Sequence, residues 1–164
     1  MKIDLRQGMA QDHPAAISGT VDLQLPAEYQ SQTPATFKGT CAFLQEDSYI
    51  VKGMLCFEVT GACARCTKPV QERLEVPFEE RFVREVNEDS EEEAYPLEGD
   101  FLLLDEALNQ AALMALPYRL LCDPDCKGLC PVCGADKNVT DCSCELNTDN
   151  PFSILRKLDL PEEV

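Results

Sequence analysis

Ten cysteines stand in a chain of 164 residues, and those from Cys122 to Cys144 read C-x3-C-x3-C-x2-C-x8-C-x-C. Thiolates paired at one to four residues' separation can both turn inward on one tight bend, supplying two corners of the tetrahedron that a zinc ion takes. A further pair stands upstream in Cys63-Ala64-Arg65-Cys66. Eight cysteines therefore form four close pairs, enough for two four-thiolate sites. Spacing favours Cys130, Cys133, Cys142 and Cys144 on one ion and Cys63, Cys66, Cys122 and Cys126 on a second. A single site built from Cys63, Cys66, Cys130 and Cys133 is the rival grouping. In Cys130-Pro131-Val132-Cys133-Gly134 the glycine permits the left-handed turn that a zinc knuckle requires.

Such thiols can hold a closed structural zinc, a catalytic zinc with an open position, or a redox dithiol. The only histidine, His13, lies far off in a polar stretch, so a mixed His-Cys catalytic site lacks material and the structural reading leads. A redox role for Cys63 and Cys66 draws on Arg65, a cation able to depress a thiol pKa. Against it, the pair is placed at a hairpin tip and not at the start of a helix in a βαβ unit. A disulfide scaffold belongs to short secreted chains, whereas Met1 to His13 carries no apolar run of signal-peptide length. Reduced thiols in the cytoplasm are expected. No Gly-rich phosphate loop or Gly-x-Ser-x-Gly elbow is present. The expectation is a non-enzyme without a small-molecule substrate.

The elements that position these cysteines show in the periodicity. Gly19, Val21, Leu23 and Leu25 suit a strand over 18–25, and Phe37, Gly39, Cys41 and Phe43 repeat the two-residue period. After a polar turn at Gln45-Glu46-Asp47-Ser48, residues 49–60 place Tyr49, Val51, Leu55, Phe57 and Val59 on one face. Cys41 and Cys56 read as structural, since free cysteine is among the most buried residue types. Residues 70–86 again look extended, so Cys63 and Cys66 fall at a hairpin tip. The acidic stretch 87–98 reads as a mobile loop. The apolar run 101–116 reads as a buried helix ended by Pro117. A last helix is marked by Asn150, Pro151, Ile154, Leu155 and Leu158. The fold class is α+β: a curled antiparallel β-sheet with a buried helix and a small C-terminal zinc-binding module. Residues 1–98 form the β domain with its knuckle and acidic loop. Residues 99–164 form the helix, the cysteine-rich module and the C-terminal helix, packed on that domain.

A net charge of −16 repels a phosphate backbone over most of the surface and steers basic protein partners inward. No segment has the length and apolarity of a membrane span. One basic grouping, Arg65, Lys68 and Arg73, joined by Arg81 and Arg84, offers a local contact for RNA or a partner. The competing role of these cations is to neutralise Glu72, Glu75, Glu79, Glu80 and Glu85.

Gly61-Ala62-Cys63-Ala64-Arg65-Cys66-Thr67-Lys68-Pro69-Val70 and Phe78-Glu79-Glu80-Arg81-Phe82 resemble the CxRC segment of the YceD family, the large ribosomal RNA accumulation proteins. The resemblance continues through residues 100–117, Cys126-Lys127-Gly128-Leu129-Cys130-Pro131-Val132-Cys133-Gly134 and Asn150-Pro151-Phe152. It implies a cytoplasmic, non-enzymatic protein needed for 23S rRNA accumulation, in rRNA processing or large-subunit assembly. The partners implied are the pre-ribosomal large subunit, 23S rRNA or a basic ribosomal protein.

Overall fold

The computed structural model describes residues 1–6, 14–44, 48–84 and 94–144. Within these, β1 (Lys2–Asp4), β2 (Ala15–Val21), β3 (Ala35–Phe43), β4 (Ser48–Ala62), β5 (Pro69–Val83), β6 (Tyr95–Pro96) and β7 (Phe101–Leu103) precede α1 (Asp105–Ala115). Strands β2 to β6 form one five-stranded sheet in sequence order, while β1 pairs with β7 apart from it. The result is a mainly β-sheet protein with one helix among the described residues, of α+β type.

The two-residue period decides which side chains enter the core. Val51, Leu55, Phe57 and Val59 share one face of β4 and are buried there. On the neighbouring strand Phe37 and Cys41 are fully covered. Gly39 and Gly53 face each other across β3 and β4, and the Phe37 ring lies over both. A Cβ on Gly53 would come 2.4 Å from the Lys38 carbonyl oxygen and 2.7 Å from the Phe37 ring, so the close approach needs glycine. Phe37 also meets Phe78 edge-on, with centroids 5.4 Å apart. The helix lies against β5 and inserts Ala107, Leu108 and Ala112, of which Leu108, the one large side chain, contributes about 1.5–3 kcal/mol. Asp105 and Glu106 in its first turn complement the positive end of its dipole.

Several elements depart from the sequence expectations. The strand expected over 18–25 is β2, which runs from Ala15 and ends at Val21; beyond it Gln24 turns toward the helix and donates its backbone N–H to Asn109 Oδ1 at 2.7 Å. The apolar run at 101–116 is two pieces: Phe101–Leu103 is β7, pairing with β1 so that Leu102 lies opposite Ile3. Tyr95–Pro96 forms β6, parallel to β5, and Leu97 is buried, so the acidic stretch is not a loop as far as Glu98. Cys56 points to the outer face and is only half-buried. Cys41 is sealed in the core, and burial pushes its thiol up to about 11, as an inert structural residue requires. A single apolar cluster takes in residues on both sides of position 98, from Leu5 to Leu120. His13, the acidic residues 87–93 and the helix expected from Asn150 lie outside the described residues.

Candidate metal centres

The longest hairpin, β4 to β5, ends in Cys63-Ala64-Arg65-Cys66. Its turn is fastened by Cys63 N–H donating to Lys68 O at 2.8 Å and Thr67 N–H donating to Cys63 O at 2.9 Å. The segment Cys130–Ala135 repeats this turn: Cys130 N–H donates to Ala135 O at 2.7 Å and Gly134 N–H to Cys130 O at 2.8 Å. The equivalent fifth residues, Thr67 and Gly134, have φ of 60° and 73°. A β-branched residue is strained there, at a cost of about 1–2 kcal/mol. Glycine's greater freedom in the unfolded chain offsets part of that. Thr67→Gly is therefore expected to raise stability by up to about 1 kcal/mol, read as a higher urea midpoint with unchanged slope.

Beyond α1 the chain doubles back past the hairpin tip. Leu120 is buried, and its carbonyl accepts the Ala64 N–H at 2.9 Å. This delivers Cys122 and Cys126 to Cys63 and Cys66. The Cys66 and Cys122 sulfurs lie 3.4 Å apart, and those of Cys63 and Cys126 3.9 Å apart. Cys130, Cys133, Cys142 and Cys144 form the second group, and within each group all four sulfurs lie within 4.8 Å of one another. A tetrahedral zinc with Zn–S bonds of about 2.3 Å has S–S edges of about 3.8 Å, which these spacings bracket. Both groups thus have the donors and the spacing to hold a metal ion. The structure joins Cys63 and Cys66 to Cys122 and Cys126 and not to Cys130 and Cys133.

The two groups differ in shelter. In the first, Cys63, Cys66 and Cys126 are buried, whereas in the second only Cys130 is. Backbone N–H groups, that of Cys122 foremost, hold the Cys63 thiol down at about 6. The Cys133 N–H does most to hold Cys130 down at about 6. Contact with Cys66 pushes Cys122 up to about 12, and contact with Cys133 pushes Cys144 up to about 12. Each group therefore resists carrying four negative charges at once, a conflict that a central cation removes.

Arg65, Lys68 and Arg73 are all exposed, but each has a partner within the chain. Arg65 Nη1 donates to Pro124 O at 3.0 Å and Cys126 O at 2.8 Å, clamping the turn that carries Cys126. Lys68 pairs with Asp136 at 2.7 Å and Arg73 with Glu75 at 3.4 Å. Gly128, with φ of 72°, sits so close to Arg65 that a Cβ would lie 2.9 Å from its carbonyl oxygen. Asn138 was not singled out by sequence reasoning. Its Nδ2 donates to Cys126 Sγ at 3.3 Å and to Asp136 Oδ1 at 2.7 Å. Its only sequence signal is its place in the Gly134–Asp141 spacer between cysteine pairs.

Four thiols at the tip of a β-meander, with four more in the adjoining segment, define a cysteine-rich protein with two candidate metal centres. The chain belongs to the YceD family: the description "Large ribosomal RNA subunit accumulation protein YceD" matches residues 51–159. The family takes its description from accumulation of the large ribosomal RNA subunit. It is similar to uncharacterized proteins of Mycobacterium tuberculosis (strain ATCC 25618 / H37Rv) and Mycobacterium bovis, each 34% identical over 92 residues. Those alignments cover 54% of this chain and 44% of each relative, so the match spans less than half of the relatives' length. No solved structure matches the chain. Among the described residues no helix is long and apolar enough to cross a membrane.

Proposed function

We propose that this chain is a cytoplasmic, non-enzymatic zinc protein that supports 23S rRNA accumulation, in rRNA processing or assembly of the large ribosomal subunit. Convergence of the cysteines into two four-thiol groups carries the zinc part of this reading; family membership supports the link to large-subunit rRNA accumulation. Four protein thiolates complete a tetrahedron and leave no position for a substrate, the hallmark of a structural site. When bound, zinc supplies charge neutralisation and a cross-link. The chain's own residues do the positioning: the hairpin presents Cys63 and Cys66, and Arg65 holds the turn of Cys126 against them. The same convergence weighs against a Cys63–Cys66 redox dithiol.

Contact with the pre-ribosomal large subunit is assigned to the β4–β5 hairpin, through exposed Lys68 at its tip and exposed Arg73 along β5, opposite Glu58. Arg65 is also exposed at the tip but clamps the metal group, so it is a poor test residue. In cells lacking the native protein, wild-type chain is expected to restore the ratio of 23S to 16S rRNA. A Lys68→Glu/Arg73→Glu variant that stays folded and metal-loaded is expected to restore it poorly. Full restoration would remove the tip from the reading.

A second reading, an adaptor for a basic ribosomal protein, is favoured by an apolar groove lined by Tyr29, Leu113, Leu116 and Tyr118. Tyr118 is fully exposed, and large bare apolar side chains mark protein contacts. Association that survives nuclease treatment favours the adaptor, and loss of all partners on digestion favours RNA.

A further inference from the structure

The Gly134–Asp141 spacer belongs to one cysteine group by its ends and to the other by its contacts. Cys133 and Cys142 flank it, so a metal in the second group pins both ends. Its middle reaches back to the first group. Asn138 donates from Nδ2 to the buried Cys126 sulfur at 3.3 Å, while its Oδ1 accepts the Lys127 N–H at 2.8 Å. Lys137 N–H donates to Gly128 O at 2.9 Å, and Asp136 pairs with Lys68 of the hairpin tip at 2.7 Å. The linkage also runs the other way. Leu129 N–H donates to Arg65 O at 3.0 Å, so the hairpin tip of the first group seats the residue directly before Cys130.

Resting on the zinc reading above, we propose that the two centres fill cooperatively, with the spacer as the coupling element and Asn138 as the positioning residue that transmits it. With both ends loose, the spacer must lose conformational freedom before Asn138 can reach Cys126. A metal held by Cys130, Cys133, Cys142 and Cys144 closes that loop beforehand, so the first group gains its N–H donor at lower entropic cost. A donor to a buried thiolate stabilises the charged form that metal binding requires. Binding linkage is reciprocal, so the first group must raise the affinity of the second by the same factor.

The full-length chain, reduced and stripped of metal, is titrated with cobalt(II). Native mass spectrometry counts ions per molecule, and competition with a chromophoric chelator gives the affinity of each site. At one equivalent of cobalt, metal-free and doubly loaded chains are expected to dominate. Cys133→Ser, which disables only the second group, is expected to weaken the first at least about fivefold. Asn138→Ala keeps all eight thiols and is expected to accumulate singly loaded chains, with each site still showing four-thiolate cobalt absorption. First-group affinity unchanged by Cys133→Ser, together with predominantly singly loaded wild-type chains, would overturn the coupling and leave the metal reading standing. Absence of bound cobalt in the wild type would overturn both. Should Asn138→Ala fail to fold, the Cys133→Ser comparison still decides.

Discussion

Cys126→Ser is expected to strip metal from the first centre and to destabilise the whole domain, where most surface cysteine replacements would be nearly silent. Cys126 is buried, lies 3.9 Å from Cys63 by sulfur and receives the Asn138 amide. Its carbonyl holds Arg65. A metal here ties the hairpin tip to the segment beyond α1, a closure between parts of the chain distant in sequence. Four-thiolate zinc contributes about 10–16 kcal/mol of binding free energy in small zinc peptides, and that energy is folding energy when the site is absent from the unfolded chain. Losing one ligand and exposing the other three is expected to cost at least about 3 kcal/mol. The variant should show one metal fewer by native mass spectrometry and a lower urea midpoint. Cys56→Ser, half-buried on the outer face, is the control and should stay within about 0.5 kcal/mol. An unchanged midpoint for Cys126→Ser would mean that the tip is held by its hydrogen bonds alone.

Phe37→Ala is expected to cost about 3–5 kcal/mol. The ring is fully buried, lies over the facing glycines 39 and 53 and meets Phe78 edge-on. Alanine would leave a void that those glycines cannot fill, since they have no side chains and their backbones already approach closely. The expected readout is a urea midpoint lowered by that amount, with metal content retained at saturating zinc. Phe37→Leu, which keeps most of the volume, should recover the larger part. A small effect for Phe37→Ala would show that the sheet collapses around the site.

The strands of the meander were legible because one-sided burial imposes a two-residue period: Val51, Leu55, Phe57 and Val59 announce β4 without help from tertiary structure. The helix was legible for the same reason at a different period, and Pro117 marked its end. The β1–β7 pair was not. Two three-residue strands about a hundred positions apart carry too few residues to show a period, and Phe101–Leu103 merges with the apolar run of the helix. Cysteine spacing favoured the two groups that the structure brings together, because a short loop restricts where a pair of thiols can point. The ring of support around them could not be read that way. Arg65 looked like a surface cation because only the returned chain at Pro124 and Cys126 reveals what it holds. Asn138 drew no notice at all, because its sulfur acceptor, Cys126, belongs to the other group.

The β4–β5 hairpin has a mechanical consequence. Each strand has 15 residues, so the hairpin extends at most about 50 Å at roughly 3.3 Å per residue. An untethered ribbon of that length pivots at its tip, and its two ends report little about each other's position. With the tip laced to the segment beyond α1, β5 packed against the helix and β4 paired with β3 along its first half, the ribbon becomes a strut held along its length as well as at its tip. The Lys68 end is then held at a set distance from the end where Ser48 pairs with Val83.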